Sequence, residues 1–263
     1  MPFLEALGID VHYDEFGPAE ADVTLIALHG MGVDNRCVIG VHEPLFADRP
    51  GWRRIYPDLP GMGRTPAPEW IRGTDDVFAV LRAFVDAVVP GRYAVSGGSY
   101  GGYLAAGLAA AEPERISGLA LLVPMVLPPG QRDVAEHRVL YREPGVSAPH
   151  DSSVVVTATA VRRLEDEVHC SVVDDAAVAR IAAHYAGSFP LTSTYAGPAL
   201  IVTGRQDDAL GYNDQWRQYG QLPRATHAVL DRGGHGLLIE LSGLVTALLA
   251  DWLDRVEQPA PTG

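Results

Sequence analysis

Cysteine is scarce in this chain of 263 residues: there are two, Cys37 and Cys170. Two cannot build a disulfide framework, and nothing around them has metal-ligand spacing, so no metal is expected. The expectation is a pair of buried or half-buried thiols in a reducing compartment. Basic residues are also in deficit, 20 against 33 Asp and Glu, for a formal net charge of −13. That balance, without any stripe of clustered cations, argues against a nucleic-acid surface, because neutralising phosphates requires one. Long apolar runs are missing as well. Nothing approaches the ~18 consecutive apolar residues of a membrane span, and the run from Ile116 to Pro128 is short and broken by Pro124. No basic-then-apolar leader opens the N-terminus. The expectation is a soluble, cytoplasmic protein that acts on a small molecule and has neither membrane nor nucleic-acid partners; its oligomeric state leaves no signature.

What is present is a pattern of alternation. Short β-rich apolar runs at Val23–Leu28, Trp52–Tyr56, Tyr93–Ser96, Leu119–Val123, Ala199–Thr203 and His227–Leu230 read as buried strands. Helical patterns lie between them. One runs from Thr74, a plausible N-cap, to Val89 and has Asp75 and Asp76 in its first turn. Another runs from Tyr100 to Ala111, and a third follows the apolar stripe Leu237, Leu238, Leu241, Leu244, Val245, Leu248, Leu249 and Trp252. Strands alternating with helices imply crossovers and a mostly parallel sheet covered on both faces. Between about Leu127 and Thr194 the alternation stops. Two helices are expected there, around Val154–Glu167 and Asp174–Ala186, with no clear strand. The chain therefore divides into residues 1–126, a helical insertion at 127–194, and a return to the sheet at 195–263. The end from Gln258 is expected to fray.

The chemistry concentrates at strand ends. Gly97-Gly98-Ser99-Tyr100-Gly101 has the G-x-S-x-G pattern between a strand and a helix. A sharp turn there lifts the serine hydroxyl above the sheet, and glycines let neighbouring backbone approach. Serine is a poor nucleophile at pH 7 without a positioned base. Of the histidines that follow, His137, His150, His169 and His184 fall in the insertion and His227 within a strand. His235 follows a strand and the loop Asp231-Arg232-Gly233-Gly234, and is the expected base. Asp207, in the turn after the fifth strand, is preferred over its neighbour Asp208 as the acid that orients it. The loop His29-Gly30-Met31-Gly32 ends the first strand, and the backbone N–H groups of Met31 and Tyr100 are the expected oxyanion donors. His29 and Asp58 read as loop braces.

Together, His29-Gly30, Asp58 through Gly63, Gly97 through Gly101, Gly204 through Asp207 and Gly233 through His235 resemble the α/β-hydrolase superfamily over nearly the whole chain. The resemblance implies a mostly parallel eight-stranded sheet, a helical cap over the active site, and no metal or organic cofactor. A serine at the elbow sets the chain apart from epoxide hydrolases and haloalkane dehalogenases, whose nucleophile is a carboxylate. The elbow is also similar to that of proline iminopeptidases, whose oxyanion loop usually reads His-Gly-Gly-Pro-Gly where this chain has His29-Gly30-Met31-Gly32-Val33. Glu165, Asp166 and Glu167 could meet a substrate amino group in that reading, although such a charge run is more simply a solvated helical face. An ester or thioester hydrolase is expected first. A peptidase, a carbon–carbon bond hydrolase, a biosynthetic lyase or cyclase, and a ligand receptor without turnover stay open. The substrate-binding residues are not readable.

Overall fold

The computed structural model describes residues 2–147, 153–192 and 194–258. His150 and the end beyond Gln258 lie outside the described residues. In chain order the strands are β1 (Phe3–Ala6), β2 (Ile9–Phe16), β3 (Val23–Leu28), β4 (Trp52–Pro57), β5 (Tyr93–Gly98), β6 (Ile116–Leu122), β7 (Tyr141–Arg142), β8 (Val155–Val156), β9 (Ala199–Gly204) and β10 (Ala225–Leu230). The α-helices are α1 (Arg36–His42), α2 (Thr74–Val88), α3 (Tyr100–Ala111), α4 (Ala158–Leu164), α5 (Asp175–Ala182), α6 (Asn213–Tyr219), α7 (Leu237–Glu240) and α8 (Ser242–Glu257).

Eight strands form one sheet in the order β1-β2-β4-β3-β5-β6-β9-β10. β2 pairs antiparallel with both β1 and β4, and the remaining pairings are parallel. The parallel strands are apolar on both faces because helices cover both. Alternate residues separate cleanly: Ile26, Leu28, Val95 and Ile201 belong to the core beneath α2 and α3. Leu25, Ala27, Ala94, Leu200 and Val202 belong to the other core, with Val38 of α1 and Trp252 of α8. Burying one such large aliphatic side chain contributes about 1.5–3 kcal/mol, so the two layers dominate the stability.

β1 and β2 were not anticipated from the sequence. They form a hairpin whose two-residue turn, Leu7-Gly8, has positive φ at both positions, 53° and 79°. Such a turn matches the twist of paired strands, but leucine at its first position hides the usual Asn-Gly signal. Three further expectations need correction. Thr74 is not the N-cap of α2; Gly73 holds that position. The Thr74 hydroxyl instead donates to the Tyr185 carbonyl and accepts from the Tyr100 hydroxyl, so it ties α2 to the segment that crosses it. The C-terminal stripe breaks at Leu241 into α7 and α8, and Leu244 stays exposed. Val154–Val156 is not helical: β8 pairs in parallel with β7. A β-branched run suits an extended ribbon better than a helix.

After β8, Thr157 caps α4 by accepting from the Ala160 N–H, and Asp174 does the same for Ala177 at the start of α5. Between them α4 runs on into a π-helical turn, Glu165–His169. This region is tied to the core through backbone. The Gly63 N–H donates to the Val172 carbonyl at 2.8 Å, and Asp34 Oδ2 accepts from the Val172 N–H at 3.0 Å.

Candidate active site

Ser99 joins β5 to α3 with φ 53° and ψ −114°. A non-glycine residue in that region costs on the order of 1–3 kcal/mol, so the surroundings must enforce it. They do so by close packing. A Cβ at Gly97 would lie 2.2 Å from the Gly101 carbonyl oxygen, and one at Gly101 would lie 2.3 Å from that of Leu28. The Ser99 N–H donates to the Leu122 carbonyl at 2.9 Å and its own carbonyl accepts from the Met125 N–H at 3.0 Å. The turn at Ser99 is thus held by three strand ends at once.

His235 lies between β10 and α7. Its Nε2 is 3.1 Å from Ser99 Oγ and its Nδ1 is 3.1 Å from Asp207 Oδ2. Asp207 is fully buried. Its second oxygen accepts from the N–H groups of Ala209 and Leu210 at 2.9 and 2.8 Å, which leaves Oδ2 for the imidazole. The structure therefore brings the three expected residues into one hydrogen-bonded chain that ends at a half-buried serine. Asp208 turns the other way, to within 3.2 Å of His137 Nδ1 in the facing segment, and takes no part in that chain.

Met31 and Ser99 line the same cavity. Tyr100 opens α3, so its amide has no intrahelical acceptor and points with the positive end of the helix. Its side chain is directed away, onto Thr74 and against the ring of Tyr185. His29 is a brace, as expected: Nδ1 donates to the Gly30 carbonyl at 2.8 Å and Nε2 accepts from the Leu59 N–H at 2.9 Å. Full burial pushes its pKa down and keeps it neutral. Asp58 organises its loop by accepting from His12 Nδ1 and from the amides of Asn35 and Arg64. His227 donates to the Tyr219 carbonyl, and His184 lies beside the Arg72 carbonyl.

The cavity above Ser99 has a volume of about 320 Å³. Leu238 and Ile239 of α7 and Val38 of α1 form part of its wall, and Leu164, Val168 and His169 of the π-turned helix form another. Cys37 also faces it; burial pushes this thiol up to about 12, so it is a neutral, weakly polar wall. The polar side chains in the lining are Ser99, His169, Asp208 and His235. The chain has no lysine, and none of its arginines is among those lining residues. Two residues escaped the sequence reading. His169 lies in the insertion, away from the strand-end pattern that marks His235. Glu240, which packs behind His235, is the lone charged residue between His235 and Asp251, a position where a helical apolar stripe makes a carboxylate stand out.

Residues 23–146 match the α/β hydrolase fold family. Along most of the chain, a 2-hydroxy-6-oxononadienedioate/2-hydroxy-6-oxononatrienedioate hydrolase of Burkholderia vietnamiensis is 26% identical, over 93% of this chain and 91% of that protein. Lipase LipV of Mycobacterium tuberculosis is 34% identical over 47% of this chain and 45% of its own length, so that likeness spans under half of either protein. Among solved structures, an alpha/beta superfamily hydrolase from Oenococcus oeni superposes with a TM-score of 0.88 at 22% identity, covering 98% of this chain and 100% of that one. The chain has the α/β-hydrolase fold, and residues 23–146 match that fold's family. Among the described residues no group of three or more His, Cys, Asp or Glu could hold a metal ion, and no helix is long and apolar enough to cross a membrane.

Proposed function

We propose that this chain is a serine hydrolase that cleaves esters or thioesters of small, uncharged, largely apolar acids, with residues 127–194 serving as the cap over the site. The observation that carries the reading is the Asp207–His235–Ser99 hydrogen-bonded chain opening into an apolar cavity. His235 Nε2 takes the Ser99 proton as Oγ attacks the acyl carbon. Asp207 holds the Nδ1–H tautomer and stabilises the imidazolium that forms. The oxyanion rests on the amides of Met31 and Tyr100, each contributing on the order of 3 kcal/mol to transition-state stabilisation. His235 then protonates the leaving group, and water activated by the same histidine releases the acyl group.

The absence of Arg from the cavity lining narrows the substrate. A carboxylate carried into an apolar cavity needs a cationic partner, since its desolvation otherwise costs several kcal/mol. Asp208 in the lining adds to that penalty. A second reading, hydrolysis of a carbon–carbon bond, draws on the relative that spans the whole chain, but that protein's named substrates carry two carboxylates for which this cavity offers no arginine.

The test is hydrolysis of p-nitrophenyl esters from acetate to decanoate by wild type and Ser99→Ala. The expected result is turnover that falls by about 10⁶ in kcat in the variant, with the preferred chain length reporting the cavity's depth. A wild type that turns over no ester yet reacts at Ser99 with a fluorophosphonate would move the choice to the carbon–carbon, peptidase or lyase readings. No turnover and no labelling would favour a receptor.

A further inference from the structure

Glu240 closes α7 and is 9% exposed. A carboxylate at that depth is costly unless its oxygens are met by donors. The donors come from the cap. The Val154 N–H lies 3.1 Å from Oε2 and 3.3 Å from Oε1, and the Val155 N–H lies 2.8 Å from Oε2. Burial pushes the Glu240 carboxyl above the usual range, while these amides, the Ser153 hydroxyl and the neighbouring His137 pull it back.

The bonds hold one particular side chain against the loop that carries His235. A Cβ at Gly234 would come within 2.5 Å of Val154 Cγ2, so Val154 lies directly on the residue before His235. A Cβ at Gly236, the residue after it, would meet Glu240 Oε1 at 2.9 Å. From the opposite side the loop rests on β9: the Gly233 carbonyl accepts from the Gln206 N–H at 2.8 Å and packs on Gly204. The histidine loop is clasped from both sides, and one of the two clasps is built by Glu240.

We propose that Glu240 is a positioning residue for His235. By holding Val154 over Gly234 it keeps the loop where Nε2 reaches Ser99 while Nδ1 stays on Asp207. Glu240 is not among the residues lining the cavity, so its effect passes through the imidazole and not through the substrate. The inference rests on the Ser99–His235–Asp207 reading. An ionised acid suits the position because two successive amides converge on it and it has no proton to turn toward either.

The experiment measures kcat, KM and the rate of fluorophosphonate labelling at Ser99 for wild type, Glu240→Gln and Val154→Ala. Glu240→Gln is expected to lose about tenfold to a hundredfold in kcat with KM within about twofold, the pattern of a displaced catalytic group. Labelling should slow in step. Val154→Ala leaves the carboxylate bonded to the backbone and should lose about threefold to tenfold by the same pattern. A rise in KM with kcat intact would mean that Glu240 only seats the cap, and would overturn the proposal. Wild-type labelling rates in both variants would overturn it too, without touching the Ser99 reading. Wild type that does not label at Ser99 would remove that reading and this one together. Should Glu240→Gln fail to fold, Val154→Ala decides alone.

Discussion

Among the described residues, the pairs His12–Asp58 and His235–Asp207 have nearly the same construction. In one, Asp58 accepts two backbone N–H groups and His12 Nδ1 at 2.7 Å. In the other, Asp207 accepts two backbone N–H groups and His235 Nδ1 at 3.1 Å. Both carboxylates are buried. The difference lies at the far nitrogen. His12 Nε2 is met by the Arg64 guanidinium at 3.5 Å, not by a hydroxyl, beside a separate cavity that His12, Asp58 and Arg64 help to line. His235 Nε2 is met by a serine hydroxyl at the floor of a cavity. A third histidine completes the series: His42 Nε2 lies 2.9 Å from Ser96 Oγ, buried, with Nδ1 on a backbone carbonyl and no acid behind it. Acid, base and hydroxyl recur; together with access to a cavity they occur around Ser99.

Substitutions can separate these three arrangements. The largest effect is expected for Asp207→Asn, which keeps the shape but disturbs the tautomer: kcat on a p-nitrophenyl ester should fall by about 10⁴, with the fold retained by circular dichroism. The equivalent change in the other pair, Asp58→Asn, should lower unfolding free energy by about 3–5 kcal/mol in urea titration. Its kcat per folded molecule should stay within about tenfold of wild type. An equal loss of kcat in both would collapse the distinction between pairing for stability and pairing for chemistry.

His42 sharpens the contrast through pH. Burial lowers its pKa to about 4, below the value near 6.5 expected of the unfolded chain. Between those values the unfolded chain binds the extra proton, so this contribution to stability is full above about pH 6.5 and is lost as the pH falls toward 4. The loss attributable to His42 is roughly 3 kcal/mol, and the urea midpoint of His42→Leu should therefore change less than wild type's between pH 7.5 and 4.5. A parallel decline in both proteins would exclude His42 as the source. The smallest effect is expected in the cap, where Thr157→Ala removes the hydroxyl that caps α4 and should cost about 1 kcal/mol. A cost near zero would mean that this helix is held by its packing alone.

The sheet and the strand-end residues were legible because each follows from a repeated local rule. Buried parallel strands read as unbroken apolar runs, as in β3, β5 and β9, and Gly97 and Gly101 mark a turn that only glycine can pack. Asp207 was separable from Asp208 because a turn after β9 favours the spacing from Gly204. The parts that were not legible depend on partners distant in sequence. Val154–Val156 reads as part of a helix until the carboxylate of Glu240, 85 residues from Val155, takes its amide. Thr74 reads as an N-cap until Tyr185, 111 residues on, claims its hydroxyl. The Leu7-Gly8 turn was missed for the opposite reason, a local rule obeyed with an unusual residue.

The π-helical turn at Glu165–His169 carries a consequence for how this pocket can change over time. In an unbroken α-helix, His169 would stand about 140° around the axis from Leu164; the wider turn brings both to the same cavity wall. Deleting one residue from the turn would restore the tighter winding and rotate every later side chain of that helix, exchanging part of the wall at a stroke. The strands that hold Ser99, Asp207 and His235 would not move. Under the proposed function, insertions and deletions here would act as a dial on which substrate fits, leaving Ser99, Asp207 and His235 in place while the neighbouring surface diversifies.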